Sequence, residues 1–124
     1  MFEIKVDRIN ALVEIVVEGR VVVDEMERFL AELKAVLASL QGRAIVIKAD
    51  LRGISPVAPE VAEMLRRGQD HAIGLGVRRI AEIVESEVVA LQLQRVARES
   101  GGERILRCFR DEAAALEWLL DGRP

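Results

Sequence analysis

The sequence predicts an α/β fold: one mixed, mostly parallel sheet of about five strands with an N-terminal hairpin and four helices, in the order β-β-α-β-α-β-α-β-α. Three observations carry this. The chain opens with two period-2 apolar runs joined by a short polar turn. An unbroken helical stripe follows between Met26 and Leu40. Short apolar runs then alternate with glycine-bounded helical segments to the C-terminus.

In the hairpin, Phe2, Ile4 and Val6 share one face, and after Asp7-Arg-Ile-Asn10 the second run places Val13, Ile15 and Val17 together, with Gly19-Arg20 as its end. The first helix has Met26, Phe29, Leu30, Leu33, Val36, Leu37 and Leu40 at i, i+3, i+4 spacing, which makes one apolar face. Asp24 is placed to cap it with Glu27 three residues on, and Gly42 to end it.

Ala44 to Ala49 reads as a buried third strand leading into an Asp50-Leu-Arg-Gly53 loop. A second helix, from about Val57 to His71, turns Val61, Met64, Leu65 and Ala72 inward; Gly74 and Gly76 stop it, and Val77 to Val84 forms strand four. Ser86 caps a third helix with Val89, Leu93, Val96 and Ala97 on one face, closed by Gly101-Gly102. Arg104 to Phe109 is strand five, and Asp111 caps a last helix that packs through Ala114, Ala115, Trp118 and Leu119. Each strand–helix–strand crossover is expected to be right-handed and parallel.

The composition narrows the function classes. A chain of 124 residues with 51% hydrophobic residues and no long linker suits one domain, 1–124. No apolar run approaches the roughly 18–20 residues of a membrane span, and the N-terminus lacks a basic-then-apolar signal pattern. A single cysteine, Cys108, excludes an internal disulfide and fits a cytoplasmic location. A net charge of −3 argues against nucleic acid as the main partner.

No catalytic or metal set emerges. His71 is the only histidine, and its sequence neighbour Asp70 does not share its helix face. Cys108, alternating with Leu106, is expected to be buried and inert. Gly74-Leu-Gly76 follows a helix rather than a strand, so it is not a dinucleotide loop. Arg66-Arg67 and Arg78-Arg79 make a basic edge that favourable helix C-terminal placement explains. No cofactor is implied, and the sequence reads as non-enzymatic.

The region after strand three is the expected working surface, because ligands and partners of open α/β sheets bind outside the strands' carboxyl ends. Lys48 and Asp50 share a face and, with Arg52, form a polar cluster that either holds a partner's charge or is a solvated ion pair. Ser55 is either a helix cap before Pro56 or a phosphoacceptor near a helix N-terminus. Ile54 and Val57 are the apolar anchors of the expected surface, and Glu60, Glu63, Arg66 and Arg67 line the exposed side of helix two.

The element order together with Asp50-Leu-Arg-Gly53, Gly76-Val-Arg-Arg-Ile-Ala and Arg107-Cys-Phe-Arg-Asp-Glu-Ala-Ala-Ala-Leu-Glu-Trp-Leu119 resembles the STAS, or anti-sigma-factor-antagonist, family in its stand-alone bacterial SpoIIAA-like branch. The resemblance implies a regulatory protein-interaction module with a protein partner, a homodimer remaining open. Phospho-regulated members carry an Asp-Ser-Ser/Thr-Gly type sequence at the start of helix two, where this chain has Ala58 and Pro59. A second reading, from a likeness to lipid-binding SEC14-type folds, is a small-molecule or lipid carrier, which requires an apolar cavity of roughly 300 Å³ or more.

Overall fold

A computed structural model describes residues 1–121. The observed elements are β1 (Phe2–Asp7), β2 (Leu12–Gly19), α1 (Val23–Ser39), β3 (Val46–Ile54), α2 (Pro59–Gly74), β4 (Arg79–Ile83), α3 (Glu87–Ser100), β5 (Leu106–Phe109) and α4 (Glu112–Leu120), with a 3₁₀ turn at Gly102–Arg104 before β5. The strands lie in sequence order in one sheet, β1 antiparallel to β2 and all later pairs parallel. Same-handed crossovers that step in one direction put their helices on one face. Accordingly α1, α2 and α3 contribute to the core on that face, where Val13, Ile15, Ile47, Ile80 and Leu93 are buried together. On the other face α4 buries Ala115 and Leu119 against Leu12, Val46, Ala81 and Ile83.

The hairpin turn is fixed by Asp7, whose Oδ1 accepts from the backbone N–H groups of Ile9 and Asn10. Ala11 then takes a left-handed φ of 50° to enter β2. Ser86 and Asp111 cap α3 and α4 as expected, accepting from the N–H groups of Val89 and Ala114, and Gly101 ends α3 with φ 75°.

Four local expectations are corrected. The cap of α1 is Val22, without a side-chain bond, so Asp24 and Glu25 lie inside the first turn, where they favour the helix dipole instead of closing its end. The third strand does not stop at Ala49. Asp50 to Ile54 continue it, because a bulge between Val16 and Glu18 lets β2 go on pairing as far as Gly19–Ile54. The Asp50-Leu-Arg-Gly53 segment is therefore strand, and Gly53 lies so close to Glu18 that a Cβ would meet its Cγ at 3.1 Å. Helix α2 starts at Pro59, with proline in its first turn and Ala58 as its cap, not at Val57.

Candidate functional site

The connection from β3 to α2 is short and tightly held. The Ser55 N–H donates to the Gly19 carbonyl at 3.0 Å, tying the connection to the end of β2. Gln92 on α3 then grips Val57 from both sides: its Oε1 accepts from the Val57 N–H at 3.0 Å, and its Nε2 donates to the Val57 carbonyl at 3.0 Å. Pro56 and Pro59 fix φ on either side. The α2 N-terminus is thus presented on a rigid three-point support.

This geometry redistributes the expected site residues. Ile54 and Val57 are 8% and 7% exposed and belong to the main core. They anchor the connection from beneath and do not present an apolar docking surface. Ser55 does not cap α2, since the helix begins four residues later. Glu60, Glu63 and Arg67 are exposed on α2. Arg66 pairs with Glu63 at 2.6 Å and Asp70 at 2.8 Å; its hydrogen bond holds Glu63 below the usual carboxylate range. Because Arg66 is so occupied, and Arg79 donates to the Trp118 carbonyl while lying 5.0 Å from that ring's centre, the four arginines do not form a free basic edge. Between α2 and α3 runs a groove of about 450 Å³, lined by Pro59, Ala62, Glu63, Arg66, Arg95 and Glu99 among others.

Lys48, Asp50 and Arg52 do come together, on the face that carries α4. Lys48 is only 7% exposed, so the solvated-pair reading is corrected. Its Nζ lies 3.0 Å from both Glu14 on β2 and Glu112 on α4. Burial alone would lower the ammonium's pKa, and these two carboxylates more than reverse that, so it is raised. Arg52 closes the network. It clasps both oxygens of Asp50, at 2.9 and 2.7 Å, and reaches Glu112 at 3.2 Å, which holds Asp50 below its ordinary range. Five charges from three elements are mutually satisfied, an arrangement suited to structural cohesion.

One buried acidic residue lies outside the expected site residues. Glu82, on the interior strand β4, is 5% exposed and points into the main core, where Oε1 has no hydrogen-bond partner among the described residues. Burial pushes its pKa up to about 8. A signal was available: a carboxylate inside the otherwise apolar Ile80-Ala-Glu-Ile-Val84 run, in a strand with neighbours on both sides. Its neighbour Cys108 is free and half-buried; burial and the nearby Glu82 push the thiol up to about 11, in keeping with an inert cysteine.

No family model matches the chain, and no curated protein matches its sequence significantly. Solved structures do. An uncharacterised protein of the DUF3478 family with a SpoIIAA-like fold, from Shewanella loihica PV-4, superposes with a TM-score of 0.72 at 21% identity, covering 95% of this chain and 93% of the other. The chain has the SpoIIAA-like fold. The anti-sigma factor antagonist SpoIIAA in its unphosphorylated form matches with a TM-score of 0.67 at 16% identity, covering 95% of each chain. An anti-sigma factor antagonist from Mycobacterium paratuberculosis matches with a TM-score of 0.64 at 11% identity, over 98% of this chain and 96% of that one. The SpoIIAA-like architecture thus accounts for the element order and the placement of the β3–α2 connection. Among the described residues, no helix is long and apolar enough to cross a membrane.

Proposed function

We propose that the chain acts as one STAS-like domain, a non-enzymatic cytoplasmic regulatory module that works by protein–protein contact. Its contact surface is the β3–α2 connection and the outer side of α2, with Glu60, Glu63, Arg66 and Arg67 setting orientation and encounter rate. The observation that carries the reading is the clamp on Val57 by Gln92, which holds the start of α2 in one presentation beside a groove. Two of the similar structures are anti-sigma factor antagonists, and their likeness supports a protein as the occupant.

Contact here is not phospho-switched at the position that the phospho-regulated members use. Ala58 and Pro59 occupy the positions where phospho-regulated members carry the modified hydroxyl, and neither side chain can accept a phosphate. Ser55 remains the one hydroxyl in the connection, and so the one side chain there that a kinase could modify.

The test uses exposed residues only, since Ile54 and Val57 are buried and changes there would disturb the core. Affinity capture with the wild type is compared with a Glu60→Lys, Glu63→Lys, Arg67→Glu variant and with a control altered at Glu3 and Lys5 on the far edge. The proposal expects the captured protein to be lost only with the first variant. Capture unchanged by that variant, in a folded protein, overturns the surface.

A lipid carrier is not supported. The apolar cavity in the core holds about 80 Å³, well below the roughly 300 Å³ such a ligand requires.

A further inference from the structure

The cavity is nevertheless built in an unusual way. It lies between the sheet and helices α1, α2 and α3, lined by aliphatic and aromatic side chains such as Ile15, Phe29, Ile47, Leu65 and Leu93, with Gln69 and Glu82 the polar members. Glu82 rises from the floor of this space with Oε1 unpartnered. A buried polar atom without a partner costs about 1–3 kcal/mol, and a purely apolar cavity of this kind would not need it. At the outer wall Leu30 and Gly68 lie against each other so closely that a Cβ on Gly68 would come within 2.8 Å of Leu30 Cδ2. Leu30 and Leu65 are both half-buried, so the wall is made of side chains that can rotate.

We propose that this cavity is a binding site for a small neutral aliphatic alcohol, its hydroxyl hydrogen-bonded to the Glu82 carboxyl and its hydrocarbon part seated among Ile15, Ile47 and Leu93. Size sets the first limit. A cavity of 150 Å³ accepts benzene, so about 80 Å³ admits about three or four non-hydrogen atoms by proportion. Chemistry sets the second. Burial keeps the carboxyl protonated at neutral pH, with a pKa of about 8. A neutral acid both donates and accepts, which a hydroxyl matches, whereas a charged ligand would have to be stripped of water in an apolar space.

The full chain is titrated with 1-propanol at about pH 6.5 while the methyl resonances of Ile15, Ile47 and Leu93 are followed by NMR, and with xenon as a probe lacking any polar group. The wild type is expected to show saturable shifts with a dissociation constant in about the millimolar range, as so few ligand atoms permit. Glu82→Leu weakens propanol at least about tenfold while binding xenon as well or better. Glu82→Gln, which keeps a donor and an acceptor, stays within about threefold. Ala49→Val, which fills space beside Glu82, abolishes both, and serves with Glu82→Gln if Glu82→Leu does not fold. Equal propanol binding by wild type and Glu82→Leu overturns the site, as does retention by Ala49→Val. Absence of any saturable shift in the wild type shows a cavity for water only and also overturns it.

Discussion

Glu82 makes the pH dependence of stability predictable in sign and size. Its carboxyl has a pKa of about 8 in the folded chain against 4.5 for the free group. Between those values the folded protein keeps a proton that the unfolded chain has released, so stability falls as pH rises. The contribution is fully present below about pH 4.5, declines by about 1.4 kcal/mol per unit, and is exhausted near pH 8. Over the whole window this amounts to about 5 kcal/mol, a large share of the 5–15 kcal/mol typical of a domain.

Few other groups interfere in that window. Asp50 and Glu63 are held below the usual carboxylate range, so their contributions are present at neutral pH and fade only in acid. Lys48 is raised above 10.5, and its contribution fades only in strong base. Across the sheet Glu82 has Ala49 and Cys108 as register neighbours. The helices contribute Gln69, Ala72 and Leu93, among others, to the lining of the cavity that Glu82 shares. Cys108, at about 11, is the only titratable member of that set.

The assay is urea unfolding of wild type, Glu82→Gln and Glu82→Leu at intervals from about pH 5 to about pH 9. Wild-type stability should fall steadily to about pH 8 and then level, while both variants stay flat and exceed it at the alkaline end. A wild-type slope that survives in Glu82→Gln refutes the reasoning, and so does a flat wild-type profile.

Three further outcomes follow from the packing. Gln92→Leu removes both bonds to the Val57 backbone and should cost about 1–3 kcal/mol, with faster amide exchange confined to the β3–α2 connection as the distinguishing measurement. Lys48→Met leaves Glu14 and Glu112 without their shared ammonium, but these carboxylates are 34% and 44% exposed and can recover water. The expected loss by chemical denaturation is therefore about 1–2 kcal/mol, below the 3–5 kcal/mol of a fully buried pair. Asp111→Ala removes the α4 cap and should lower stability by about 1 kcal/mol, read as a shift in thermal midpoint.

Periodicity made most of the architecture legible. The α1 stripe from Met26 to Leu37 is buried as its spacing requires, and the Ser86 and Asp111 caps are local chemistry that needs no tertiary partner. Beyond the shifted ends of α1 and α2, the misreadings share a cause, which is dependence on distant residues. The run-on of β3 past Ala49 depends on a bulge in β2, more than thirty residues earlier in the chain. Ile54 and Val57 sit in a segment with no periodic pattern, where an apolar residue reads equally as an exposed anchor or as the rim of a core; only the covering by α2 and α3 decides. Lys48 looked like a strand-end charge because Glu14 and Glu112, which enclose it, are 34 and 64 residues away. Glu82 stayed inconspicuous because one acid in a strand is ordinary until helices cover the face it points to.

The charged half-face of the sheet also guards against mispairing. Phe2, Ile4 and Val6 would remain on the core side if β1 slid by two residues along β2, so apolar patterning alone does not forbid the slip. The native register sets Lys5 opposite Glu14 and Glu14 beside Lys48, a row of alternating sign across three strands. A two-residue slide in one direction would bring Glu3 opposite Glu14, and in the other Asp7. Each replaces attraction by like-charge repulsion. The hairpin therefore carries its own proofreading, written in Glu3, Lys5, Asp7 and Glu14, four residues that contribute nothing to the apolar core.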